Sequence, residues 1–182
     1  MTSIFLIIVA VLVHEIGHLL AFRYFGQQVE TISVGFFGWT LFTDHHGTAW
    51  KFGPLLLGGY CLPAQPGWSS ELPPRVVIWT ALAGPLANLA LAALLLISAK
   101  IGRAFGIEYS DYIVRLIASA IVLNLILAVF NLLPIPPLDG GQVVLASIRA
   151  KWGAIATARI SKWAIPCGVL AVIAINVALL FS

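Results

Sequence analysis

The chain has 182 residues, 60% of them hydrophobic and 9% charged, where an ordinary soluble domain carries about 25% charged residues. That balance excludes a soluble globular protein and implies an integral membrane protein with the lipid bilayer as its surroundings. The formal net charge of +3 comes from ten Lys and Arg scattered along the sequence, so there is no basic stripe to bind nucleic acid.

A membrane-crossing helix needs about 20 mostly apolar residues. The first such segment, about 3–22, reads "SIFLIIVAVLVHEIGHLLAF". No basic stretch precedes it and no small-residue cleavage site follows, so it is expected to stay in the mature protein. Its middle carries His14, Glu15 and His18, and ionisable groups at that depth cost several kcal/mol each unless something compensates. The compensation is in the spacing. His14-Glu15-Ile16-Gly17-His18 is H-E-x-x-H, which on a helix places both imidazoles on one face, about 6 Å apart, where they can converge on one Zn²⁺. Glu15 can then take the proton from an activated water. The alternative, histidines satisfied within a core, is weaker for this pattern inside a span.

Residues 23–75 are more than a linker. "VETISVGFFGWTLFT" and "TAWKFGPLLLGGYCLP" are rich in β-branched and aromatic residues and flank the turn-like "DHHG". They predict a β-hairpin region over about 29–62, with Trp39, Trp50 and Tyr60 suited to the headgroup layer. A Pro- and Ser-rich linker, "PAQPGWSSELPP", follows. Cys61 lies in this region and Cys167 far beyond it, a spacing that suggests neither a disulfide framework nor a thiolate zinc site.

Further spans are expected at about 76–98, 112–133 and 164–181. Asn88 and Asn124 in the second and third read as interhelical hydrogen-bonding residues. The expected fold is therefore an all-α integral membrane protein, four transmembrane helices with a small membrane-associated β-sheet between the first and second, the whole of 1–182 forming one membrane-embedded domain. The connections at either end of this series hold Arg23, Lys51 and Arg75, and Arg149, Lys151, Arg159 and Lys162. The positive-inside rule places both connections in the cytoplasm and both termini outside, in a multi-pass cell membrane protein. Arg23, Arg75 and Arg115 read as interfacial or snorkelling charges.

A catalytic zinc normally has three protein ligands and one open position. Asp139 is the only acidic residue beyond Asp111 and lies in "NLLPIPPLDGGQ", residues 131–142. Pro134, Pro136 and Pro137 prevent a regular helix there, and Gly140 and Gly141 allow positive φ, letting the chain turn the carboxylate inward. The alternative is a surface turn whose aspartate caps a following helix. Beside H-E-x-x-H, the ligand reading is the better of the two.

H-E-x-x-H in a first span, with Asn131, Pro134, Leu138, Asp139 and Gly140 as N-x-x-P-x-x-x-L-D-G after a later one, resembles the site-2 protease family of intramembrane zinc metalloproteases. "GPLLLGGYC" (53–61) and "AGPLANLALA" (83–92) are similar to the glycine-containing strand and the G-P-x-x-N segment of its bacterial, anti-sigma-factor-processing branch. The resemblance implies Zn²⁺ held by His14, His18 and Asp139, Glu15 as general base, and Asn131 together with a sheet edge near Gly58 and Gly59 binding substrate. It also implies a transmembrane protein or signal-peptide remnant as substrate. That branch carries PDZ domains between its second and third core spans, where this chain has about a dozen residues. An accessory membrane protein could supply the missing control. His14 follows about ten apolar residues, or about 15 Å of helix, so cleavage is expected within the membrane, toward its cytoplasmic side. Two other readings stand beside the protease: a non-proteolytic metal-binding membrane protein, and a substrate-binding homologue that has lost its chemistry. The first lacks a chain of relay sites, and the second leaves Glu15 without a purpose.

Overall fold

The structure, a computed structural model, describes residues 2–64 and 68–180, excluding the side chains of residues 2, 3, 57, 68, 70 and 171–180. In order it comprises helix α1 (Thr2–Tyr24), strands β1 (Val29–Phe36), β2 (Trp39–Thr43), β3 (Ala49–Phe52) and β4 (Leu55–Pro63), the short α2 (Trp68–Glu71), and helices α3 (Pro74–Ala104), α4 (Asp111–Asn131) and α5 (Asp139–Leu180).

Helix α3 is central and packs against α1, α4 and α5. It opens with proline in its first turn, where the missing N–H leaves no intrahelical bond unmade. Helix α4 begins at Ser110, whose hydroxyl accepts from the Ile113 amide. Among the described residues, three helices (Ile4–Tyr24, Pro74–Ala104 and Asp111–Asn131) are long and apolar enough to cross a membrane. They present Phe5, Leu20, Trp79, Leu94, Ile126 and Val129 outward and bury His14, Glu15, His18, Thr80, Asn88 and Asn124. A soluble helix does the opposite. In hydrocarbon, polar groups must find partners inside the bundle, so the inward stripe is polar.

The fourth expected span falls on the second part of α5; its last residue, 181, lies outside the described residues. Gly153, at φ 83° and ψ 175°, interrupts α5. Gly168 beyond it rests against the Pro136 carbonyl, so the second part returns toward the start of the first. Of the Pro- and Ser-rich linker, residues 65–67 also lie outside the described residues.

The four strands form one sheet in the order β2-β3-β1-β4. Only β2 and β3 form a hairpin around the turn at Asp44 to Thr48; β1 pairs parallel with β3 and antiparallel with β4. The small sheet expected is present, but the hairpin region expected over 29–62 is a four-stranded sheet with one hairpin inside it. Each expected extended segment breaks in two, at Phe37, whose φ is 57°, and at Gly53-Pro54, and β1 is drawn between strands from the other half. Arg23, expected as an interfacial charge, also has a specific partner. It pairs with Asp44 at 2.7 Å, tying the end of α1 to the β2–β3 turn. The sheet seats on α1 through Val29 and Ile32 packed against Leu19 and Phe22, with Trp50 and Cys61 beside them.

Candidate metal centre

His14 and His18 lie one turn apart on the inner face of α1, 5% and 8% exposed. Their rings meet edge to face with Nε2 atoms 3.1 Å apart. Asp139 reaches both: Oδ2 lies 3.1 Å from His14 Nε2, and Oδ1 3.4 Å from His18 Nε2. One ligand atom from each residue falls within 4.8 Å of the others.

Asp139 arrives there because helix α4 stops at Asn131 and the proline-rich stretch turns the chain before α5 begins. Short backbone bonds from Ile135 to Leu133 and from Leu138 to Ile135 close that turn. Positive φ at Gly140 and Gly141, expected from the sequence, is not the device used: neither is among the positive-φ residues. Both are instead needed for close approach, since a Cβ at Gly140 would collide with the Leu132 and Leu133 carbonyls, and one at Gly141 with Ile135 and Pro136. Asp139 does open a helix, as the capping alternative required, but its carboxylate faces the histidines.

The far side of each imidazole has an acceptor. His18 Nδ1 donates to the Thr80 carbonyl at 2.7 Å, and His14 Nδ1 lies 2.6 Å from Asn88 Oδ1. Asn88 Nδ2 donates to the Ala10 carbonyl at 2.9 Å, which turns its oxygen toward His14. With Nδ1 donating, each ring in its neutral form would aim its Nε2 lone pair at one point, beside a carboxylate whose Oδ2 has no hydrogen-bond partner. Lone pairs converging on a buried anion repel unless a cation lies between them, so these residues fit a divalent metal. Gly84 of α3 leaves the space for it: a Cβ there would stand 2.7 Å from His14 Nε2 and closer still to His18.

Glu15 is 4% exposed and has an unpartnered Oε2. It is not one of the three converging residues. Strand β4 passes against it, and a Cβ at Gly59 would lie 2.8 Å from Glu15 Oε1. Gly58 is the next residue along this strand, which has a sheet neighbour on one side, β1. Asn131 ends α4 half-buried, its Nδ2 donating to the Leu127 carbonyl at 3.0 Å. Cys61 and Cys167 are both free thiols.

The interhelical hydrogen bond expected of Asn88 and Asn124 is present, at 2.7 Å. That expectation missed the contact of Asn88 with His14, and it missed Thr80 and Gly84 altogether. A signal was available in Thr80-x-x-x-Gly84-x-x-x-Asn88, a four-residue spacing that stacks all three on one helical face.

A zinc metalloprotease of Methanocaldococcus jannaschii is 26% identical over 156 residues, covering 86% of this chain and 37% of the relative. A Rhizobium meliloti protein bearing a zinc metalloprotease name is 49% identical over 63 residues, 32% of this chain and 16% of the relative. The chain thus spans well under half the length of these relatives. The solved structure of a site-2 protease from Methanocaldococcus jannaschii shares the fold, with a TM-score of 0.58 and 23% identity over 87% of this chain and 59% of that one. The profile of Peptidase family M50 matches residues 2–106 and 101–175, nearly the whole chain and both halves of the converging site, and the chain belongs to that family.

Proposed function

We propose that this chain is an intramembrane zinc metalloprotease that hydrolyses a peptide bond within or near the transmembrane segment of a membrane protein. The observation that carries the reading is the convergence of His14, His18 and Asp139 within 4.8 Å, beside a buried Glu15 carboxylate whose Oε2 has no partner, on a helix whose outer face is apolar. His14, His18 and Asp139 would hold a zinc ion, which would supply Lewis acidity to acidify water and polarise a carbonyl. Glu15 accepts the proton of the attacking water and passes it to the leaving amine nitrogen, with no covalent enzyme intermediate.

A substrate helix hides its amides in internal bonds, so it must unwind to be cut, and the released groups need partners where water is scarce. The unpaired edge of β4 at Gly58 and Gly59 serves as the template for an added strand beside Glu15. Asn131 offers a donor and an acceptor to the same backbone. In this reading residues 1–182 are one membrane-embedded unit with a fourth span at 164–181 and both termini outside. The sheet lies at the cytoplasmic interface, and cleavage occurs on the cytoplasmic side of the midplane. The substrate is a transmembrane protein or a signal-peptide remnant, and a partner membrane protein takes over the control that PDZ domains exert elsewhere.

The test is co-expression with single-pass model substrates. Glu15→Gln should keep one zinc per chain and lose cleavage, and Asp139→Ala should lose zinc and cleavage together. Equal cleavage by wild type and Glu15→Gln would overturn the assignment. A non-proteolytic metal protein would instead keep zinc and cut no substrate in any form.

A further inference from the structure

We propose that Asn124, acting through Asn88, is a positioning residue that sets the metal-facing tautomer of His14, and so couples the metal site to the seating of helix α4. This rests on the zinc reading above. The two histidines are held by different means. His18 Nδ1 donates to a backbone carbonyl, that of Thr80, which can only accept. His14 Nδ1 faces a side-chain amide, which presents an oxygen or, if rotated by half a turn, an NH₂ group. With the NH₂ end toward it, His14 would have to accept at Nδ1 and carry its proton on Nε2, pointing into the site where the cation belongs.

Three hydrogen bonds forbid that rotation. Asn88 Nδ2 donates to the Ala10 carbonyl at 2.9 Å and to Asn124 Oδ1 at 2.7 Å. Asn124 could itself be rotated, but its own Nδ2 donates to the Ala120 carbonyl at 2.8 Å, one turn back on α4. The series therefore ends on a backbone carbonyl, and its polarity is defined from Ala120 through Asn124 and Asn88 to His14. Rotating Asn88 alone would bring its oxygen against two others. Asn88 and Asn124 are 0% and 2% exposed, so no water can make good the lost bonds.

Helix α4 is thereby joined to the site twice. Its end leads through the proline-rich turn to Asp139, and two turns before that end Asn124 sets the far nitrogen of His14. A displacement of α4 would loosen one ligand and remove one of the two bonds that hold the tautomer of another.

The experiment uses the full chain in nanodiscs with Co²⁺ as the probe metal. The paramagnetically shifted N–H resonances of the two ligand imidazoles are recorded together with Co²⁺ affinity. Wild type should show two protected Nδ1–H resonances. Asn88→Ala should lose the His14 resonance to solvent exchange, keep that of His18, and bind Co²⁺ about 10- to 100-fold more weakly. Asn124→Leu, an apolar near-isostere, should shift both readouts in the same direction by less, because the Ala10 carbonyl still orients Asn88. Asn124→Asp should restore them, since a neutral carboxyl both donates to Ala120 and accepts from Asn88. Unchanged His14 signals in Asn88→Ala and Asn124→Leu would overturn the proposal, as would equal loss of both resonances, which marks general disruption. A wild-type chain that takes up no more Co²⁺ than Asp139→Ala would overturn the zinc reading itself, an outcome distinct from either.

Discussion

Gly84 lies where α3 passes the two histidines, and its missing side chain is the room in which a cation fits. Gly84→Ala would place a methyl group against both Nε2 atoms, 2.7 Å from that of His14. Relief requires moving α3 from α1 or turning a ring away from its Nδ1 partner, and such overpacking costs about 1–3 kcal/mol. Zinc affinity should therefore fall by about tenfold or more, while a helix-favouring alanine leaves α3 itself intact; competitive titration against a chromophoric chelator measures the loss. His14, Glu15, His18 and Asp139 stood out in the sequence because ionisable side chains are rare in apolar surroundings, and three of them converge in the fold. The spacing of Thr80, Gly84 and Asn88 shows a shared helical face but not its use, because a glycine, a threonine carbonyl and an amide in a span gain a role only from the helix lying opposite.

Between elements, an ion pair joins the end of α1 to the β2–β3 turn, beside the apolar seat of the sheet on Leu19 and Phe22. The Asp44 carboxylate accepts from Arg23 at 2.7 Å, from the Trp50 indole at 3.2 Å, and from the His46 and Thr48 amides at 2.9 and 3.0 Å. Burial alone would raise its pKa, but these donors, Arg23 foremost, outweigh burial and hold the carboxyl well below the usual carboxylate range. A pKa lowered on folding contributes stability that is fully present above the unfolded value of about 4 and is lost as pH falls toward the folded one. Hydrogen exchange of the β2–β3 turn should thus accelerate in wild type as pH is lowered below about 4, beyond the intrinsic pH trend. The Asp44→Asn variant should show fast exchange at neutral pH and no such acid step. The extended segments on either side of this turn were visible in the sequence. Their order in the sheet was not, since the parallel pairing of β1 with β3 joins residues separated by another strand.

For the whole molecule, a site assembled from α1 and the start of α5, with α3 and α4 behind it, would make the proposed metal binding part of folding. A ligand that binds only the native state stabilises it by about 2.7 kcal/mol at a hundredfold excess over Kd. Removing zinc with a chelator should lower the Tm of the purified chain, and adding zinc back should restore it. Glu15→Gln should behave as wild type in this assay, and Asp139→Ala should not respond to zinc. A wild-type Tm indifferent to zinc would show that the three residues do not meet around a metal in the folded bundle.

From its residues alone, the chain's membrane character, its first three apolar helices, an intervening β region and a candidate zinc chemistry could be read, because each depends on composition or on spacing within a single element. Tertiary structure decided the rest: that Asp139 approaches both histidines through a turn tightened by Gly140 and Gly141, that Arg23 serves Asp44, that β1 lies inside the sheet, and that Asn88 faces His14. Each of these is a contact between elements far apart in the chain. A side chain's own identity leaves open which partner it meets, and buried amides and carbonyls acquire their direction from the donor or acceptor that packing brings opposite them.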